Sequence, residues 1–366
     1  MHTVSMDLDD DRVRRLLDDC EAEVSSGRLP ACQLALALDG EVVVRRTFGA
    51  ADDARFTVFS VTKALTAAAV WLFVGSELQP STRVAELVPE FAREGLDAVT
   101  LEHLLTHTAG FPRAPMHPVI DGTSSEGRRA RFARWRLDWE PGTQTVYHPT
   151  AAHWVLAEVL EVVAGQDFRQ VVRDRVIDPL GLSTMRLGVD ADEAAVLDVT
   201  MVGAPSDREL PFHAPDEHLV MFNEPDVRAS GVPGAGAVSN ADDVALLYQA
   251  LLHDPKGLWD PDVLADATSR VRFDHPDPWT GVPANRTLGV GVAGDDGKAV
   301  LRAFGTATGP RAFGASGLGG QVAWADPDSG LSFCFLTNGL DQDPVAAFKR
   351  SAAIATDAAR TVTTQG

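Results

Sequence analysis

From residue 7 to 26, apolar positions recur every three or four residues among charges, and the run stops at Gly27. That is the period of an amphipathic helix with a glycine stop. The period then shortens. "ACQLALALDGEVVVRRTFG" (31–49) holds two strand-like runs around Asp39-Gly40, a hairpin signal. Near the carboxyl end the strand pattern returns. "TLGVGVAGDDGKAVLRAFG" (287–305) reads as strand, Asp-Asp-Gly turn, strand, and "QVAWADPDSGLSFCFLTN" (321–338) as a second hairpin. A last helix covers roughly 343 to 360. Between these ends, Pro- and Gly-rich loops join helical stretches, of which "LEHLLTH", "AAHWVLAEVLEVVAG" and "NADDVALLYQALLH" are the clearest.

These periods predict an α+β chain. Strands from both ends form one antiparallel sheet flanked by helices, and a mainly helical domain is inserted between them. The expected boundaries give a discontinuous sheet domain, 1–75 and 281–366, and a helical domain, 76–280. A cleft between two such domains is a natural substrate site.

Composition narrows the partners. The 366 residues carry a formal charge of −20, which repels nucleic acid and anionic lipid. The one locally basic stretch, "GRRARFARWR" (127–136), reads as a solvated helix face. Three cysteines, Cys20, Cys32 and Cys334, form no C-x-x-C pair and give no disulfide framework or zinc site. The amino terminus is acidic, without an apolar signal core. The longest apolar run, "ALTAAAVWLFVG", is too short to span a bilayer. The expected location is cytoplasmic, with no membrane and no nucleic-acid partner. The sequence carries no signal for oligomeric state.

"GVGVAG" (289–294) matches G-x-G-x-x-G, but a turn and a strand follow it rather than a helix, so it is not read as a dinucleotide site. G-x-S-x-G and H-E-x-x-H are absent, and the histidines lack metal-ligand spacing. No metal or organic cofactor is expected.

The stretch with chemistry is "FSVTKAL" (59–65). The chain has four lysines against 28 arginines, yet Lys63 stands three residues after Ser60 at the front of an apolar helical run. Residues i and i+3 share a helix face. A buried lysine has a lowered pKa and accepts a serine proton as a neutral amine. Arginine stays protonated and cannot. The spacing alone is weak, because a serine N-cap ahead of an exposed lysine gives the same pattern.

Its surroundings strengthen it. "FSVTKALTAAAV", "LEHLLTHTAGFP" (101–112), "EPGTQTVYHPTAAHWVLAEVLE" (140–161), "GVPGAGAVSNADDVALLYQALL" (231–252) and "FGASGLGGQVAWADPDSGLSFCFLTN" (313–338) occur in that order. Together they resemble the serine beta-lactamase and penicillin-binding-protein superfamily, and most closely its class C beta-lactamase and family VIII carboxylesterase branch. The resemblance implies a beta-lactamase-like fold, with Ser60 as acylated nucleophile, Lys63 as its base partner and Tyr147 of "YHP" as the catalytic tyrosine. It implies an oxyanion hole from the N–H groups of Ser60 and Leu318, beside Ser316 and Gly317 on the last motif strand. Two positions depart from the pattern. Pro149 stands where an asparagine is usual, and Ala315 where lysine or histidine is usual. Those polar groups help hold a beta-lactam, so their loss favours an apolar ester or thioester. His148 is the candidate to replace a missing polar group, and His107 is expected to be a structural hydrogen bonder. His213 and His218 lie in a polar, Pro-rich loop. The expected activity is a carboxylesterase on small esters through an acyl-enzyme. An acyltransferase, a beta-lactamase or D,D-peptidase, and a non-catalytic binding homologue stay open as alternatives.

Overall fold

The structure is a computed structural model that describes residues 6–190, 193, 195–205 and 220–364. Its centre is a six-stranded antiparallel sheet. In chain order the strands are β1 (Cys32–Leu38), β2 (Glu41–Phe48), β3 (Gly291–Val292), β4 (Phe313–Ser316), β5 (Val322–Ala325) and β6 (Ser332–Thr337). Their order across the sheet is β2-β1-β6-β5-β4-β3, so both ends of the chain build it, as expected.

The β1–β2 turn has positive φ at Asp39 (51°) and Gly40 (81°), the handedness that matches strand twist in a two-residue hairpin. Strands β1 and β6 are buried on both faces, which is why they read as continuous apolar runs. Ala35, Ala37, Cys334 and Leu336 face one core; Leu34, Leu36, Phe333 and Phe335 face the other. Helices α1 (Asp10–Ser25) and α6 (Pro344–Arg360) cover the second face through Leu16, Cys20, Ile354 and Ala355. The first face carries α2 (Thr62–Trp71) and α5 (Ala241–His253). Since α5 falls inside residues 76–280, the sheet layer draws in a helix from the expected helical domain. That domain also contains α3 (Leu101–Leu105) and α4 (Ala151–Ala164).

Two expectations are corrected. Only Gly291–Val292 pairs as a strand within 287–305, and Ala299–Arg302 is a 3-10 turn. The Arg302 guanidinium folds back onto Ala293 O (2.6 Å) and Pro283 O (2.7 Å), pulling the segment into a compact loop. The basic stretch is helical over Ser125–Phe132, but not simply solvated. Arg128 is fully buried, with its guanidinium on Glu158 at 2.9 Å and on Glu161. A buried ion pair of this kind needs both partners. Among the described residues, no helix is long and apolar enough to cross a membrane.

Candidate active site

Helix α2 is buried at all ten of its positions, which is why its sequence is mostly apolar on every face. A 3-10 turn, Phe59–Val61, leads into it. Phe59 has φ +44°, and its buried ring packs edge-on against Phe222 at 5.3 Å. Left-handed backbone at a non-glycine residue persists only where packing holds it. The turn leaves Ser60 half-buried while Phe59 and Val61 are buried.

Lys63 follows one turn later and is 3% exposed. Its Nζ lies 3.2 Å from Ser60 Oγ and donates to Pro149 O (2.7 Å) and Gly234 O (2.6 Å). Burial pushes the Lys63 pKa down and Tyr147 opposes this, with the net direction downward. The Tyr147 hydroxyl shares hydrogen bonds with Lys63 and Ser60. Burial acts to raise its pKa, but Lys63, Ser60 and Arg286 outweigh that, and it too moves down. Both groups are displaced towards losing a proton.

Backbone contacts on both flanks hold Tyr147. Val146 N–H donates to His107 O (3.2 Å), and His148 N–H donates to His107 Nδ1 (3.2 Å). His107 has φ +62°, and its ring centroid stands 4.6 Å from that of Tyr147. The structural part expected of His107 is therefore visible. His148 sits differently from its expectation. Its ring is fully buried, Nε2 accepts from Phe111 N–H (3.2 Å) and Nδ1 donates to Val146 O (2.7 Å). Both nitrogens are occupied by backbone, so the ring fixes the loop and has no group left for a substrate. Pro149 contributes its carbonyl to Lys63 and leaves its ring exposed.

The other wall is the end of β4 with the turn Leu318–Gly320. Gln321 draws it in. Its side chain donates to Thr337 O (2.6 Å) and Thr57 O (3.3 Å) and accepts from Thr337 N–H (2.8 Å). A Cβ at Gly317 would stand 2.9 Å from Val58 O, so glycine is required where β4 meets the backbone leading to Ser60. Among the described residues no protein acceptor takes the N–H of Ser60 or of Leu318. Ser316 and Leu318 are exposed and Ala315 is half-buried. His213 and His218 lie outside the described residues.

A family model described as Beta-lactamase matches residues 10–357. The chain belongs to the beta-lactamase family. Its place among the serine hydrolases of that superfamily follows, and the fold agrees. The chain is 30% identical to Esterase EstB of Burkholderia gladioli over 85% of its own length and 86% of the relative's. It is 25% identical to Esterase/beta-lactamase LipL of Mycobacterium tuberculosis, over 84% of this chain and 76% of that protein. A penicillin-binding-protein homolog from Caulobacter crescentus superposes with a TM-score of 0.79 at 25% identity, covering 98% of this chain and all of that one.

One side chain of this beta-lactamase-family site carries no motif and was not anticipated. Arg286 lies over the Tyr147 ring, Cζ 5.7 Å from the centroid, while Lys63 Nζ is 4.9 Å from the same centroid. No feature of "ANRTLGV" separates this arginine from the 27 others. Among the described residues, no group of His, Cys, Asp and Glu is arranged to hold a metal.

Proposed function

We propose that this protein is a carboxylesterase that acts on small esters through an acyl-enzyme on Ser60. The observation that carries the reading is the environment of Lys63 Nζ. Two carbonyls take two of its hydrogens, and the remaining side faces the hydroxyls of Ser60, with Oγ at 3.2 Å, and Tyr147. A buried amine so held keeps its lone pair for the serine proton. Oγ attacks the ester carbonyl, and the oxyanion forms where the unclaimed N–H groups of Ser60 and Leu318 supply donors. Tyr147, in contact with both Ser60 and Lys63, passes the proton to the leaving alcohol. It then draws a proton from water for deacylation.

Ala315 and the exposed Pro149 ring offer no polar side chain at positions where a beta-lactam would find one, which ranks esters above beta-lactams. Esterase EstB, as a relative over most of both chains, supports the same order. A p-nitrophenyl ester should leave an acyl adduct on Ser60 by mass spectrometry. Ser60→Ala should lower turnover by about 10³-fold or more. Undiminished hydrolysis by Ser60→Ala would overturn the assignment, and enzyme-like nitrocefin turnover would reverse the ranking of substrates.

A further inference from the structure

Most described arginines find partners, and those without one are, apart from Arg286, exposed. Every other described arginine that is at least partly buried places its guanidinium on a carboxylate or a carbonyl. Arg286 is half-buried, and no carboxylate or carbonyl accepts from its guanidinium among the described residues. The chain carries 52 acidic residues, so a carboxylate would have been the ordinary neighbour.

The segment that presents it is held by hydrogen bonds on both sides of Arg286. Asn285 has φ +45° and Gly289 φ +112°. Thr287 N–H and Oγ1 both donate to Val290 O (3.0 and 3.1 Å), and Val292 N–H donates to Asn285 O (3.0 Å). Trp71 at the end of α2 donates from Nε1 to Leu288 O (2.8 Å), which ties the turn to the nucleophile helix. Leu288 and Val290 are buried. The side chain of Arg286 then projects over Tyr147, and its Nη1 stands 3.9 Å from where a Cβ would be at Gly291 of β3. That strand neighbours β4, where Ala315 offers no charge.

We propose that Arg286 is a specificity-determining residue whose guanidinium binds a carboxylate on the substrate, so that the preferred esters are short-chain hemiesters of dicarboxylic acids. The planar fork of a guanidinium matches a carboxylate with two parallel hydrogen bonds. The backbone that presents the fork is held before binding, so less freedom is lost on forming them. The expectation of a wholly apolar ester, drawn from Ala315, changes accordingly. A cation is present, and it comes from the turn ahead of β3 rather than from position 315.

The inference rests on the esterase reading, so the test separates the two. Monoethyl glutarate and ethyl pentanoate differ at one end, carboxylate against methyl. The parent should favour the hemiester in kcat/KM by about tenfold or more, and Arg286→Gln should bring that ratio down to about one, with Arg286→Lys recovering part of it. A parent that does not favour the hemiester overturns the proposal. So does an Arg286→Gln variant that loses both activities in equal proportion, which would mean that Arg286 acts only on Tyr147. Calorimetry with glutarate on Ser60→Ala, with and without Arg286→Gln, needs no turnover. Binding that requires Arg286 supports the subsite even if the esterase reading fails, and binding indifferent to Arg286 sinks it.

Discussion

A lysine ammonium has three hydrogens to donate, and the pocket of Lys63 supplies two carbonyls and two hydroxyls. The hydroxyls of Ser60 and Tyr147 can give as well as take, so the site accommodates an amine that has shed one proton. The acidic limb of kcat/KM should accordingly show an apparent pKa below the ordinary 10 to 10.5 of these groups, belonging to the Lys63–Tyr147 pair rather than to either alone. Stability follows the same titration. Both groups are depressed in the folded chain, so between the folded and the unfolded values the unfolded chain binds more protons. Their contribution is fully present above the unfolded values and is lost as pH falls through the folded ones. Lys63→Met should abolish ester turnover, by about 10³-fold or more. The parent's stability relative to Lys63→Met should rise between pH 7 and 10 in urea melts, and a flat difference would show that Lys63 is not depressed. The sequence made this residue legible because a rare lysine sits one helical turn from a serine. Arg286 was hidden for the opposite reason. It is one arginine of 28, and its distinction is a missing partner, which only the contact between residues 147 and 286 reveals. His148 misled because adjacency to Tyr147 says nothing about which way a ring points.

Helix α2 has to carry three polar side chains while being buried all round, and it does so by giving each of them backbone. Thr62 Oγ1 accepts from Ala237 N–H (3.0 Å), Lys63 donates to Gly234 O, and Thr66 Oγ1 donates to Pro233 O (2.6 Å). The partner is one Gly- and Pro-rich turn, "GVPGAGA". Its composition signalled a loop, and its position against α2 emerged only from the fold. Gly289 makes the corresponding contact on the other side. A Cβ there would stand 2.4 Å from Ala67 Cβ, at φ +112°. Gly289→Ala combines strain with overpacking, so a loss of about 2–4 kcal/mol is expected. The displaced turn carries Arg286, so the hemiester preference should fall with it. Thermal melts and the ester pair read the two effects side by side, and an unchanged melting temperature would mean that the turn yields freely. The pattern over 287–305 suggested a hairpin because alternation is visible in sequence, whereas Arg302 folding back on two carbonyls is not.

At the scale of the molecule, acid sets two effects against each other. A chain of net charge −20 is relieved of self-repulsion as its carboxylates protonate. Against this stand three buried imidazoles, His148 and His153 packing on His107, which itself lies against Tyr147. His107 and His153 lie well below the ordinary histidine value through burial, and His153 has no partner on either ring nitrogen among the described residues. Burial brings His148 down to about 4. For a depressed histidine, stability is whole above 6.5 and is lost as pH falls towards the folded value. The interval from 6.5 to 4 corresponds to about 3 kcal/mol for His148 at most, and each further ring adds to the loss. The local term exceeds a diffuse one that salt screens. The protein should therefore lose stability steadily between pH 6.5 and 4, although its net charge is shrinking. His148→Gln cannot gain that proton. It should be less stable than the parent at pH 7.5, where Phe111 N–H and Val146 O lose their imidazole, yet show a shallower decline by pH 4.5. Urea midpoints of both proteins at the two pH values decide it, and parallel declines would move the acid sensitivity away from His148.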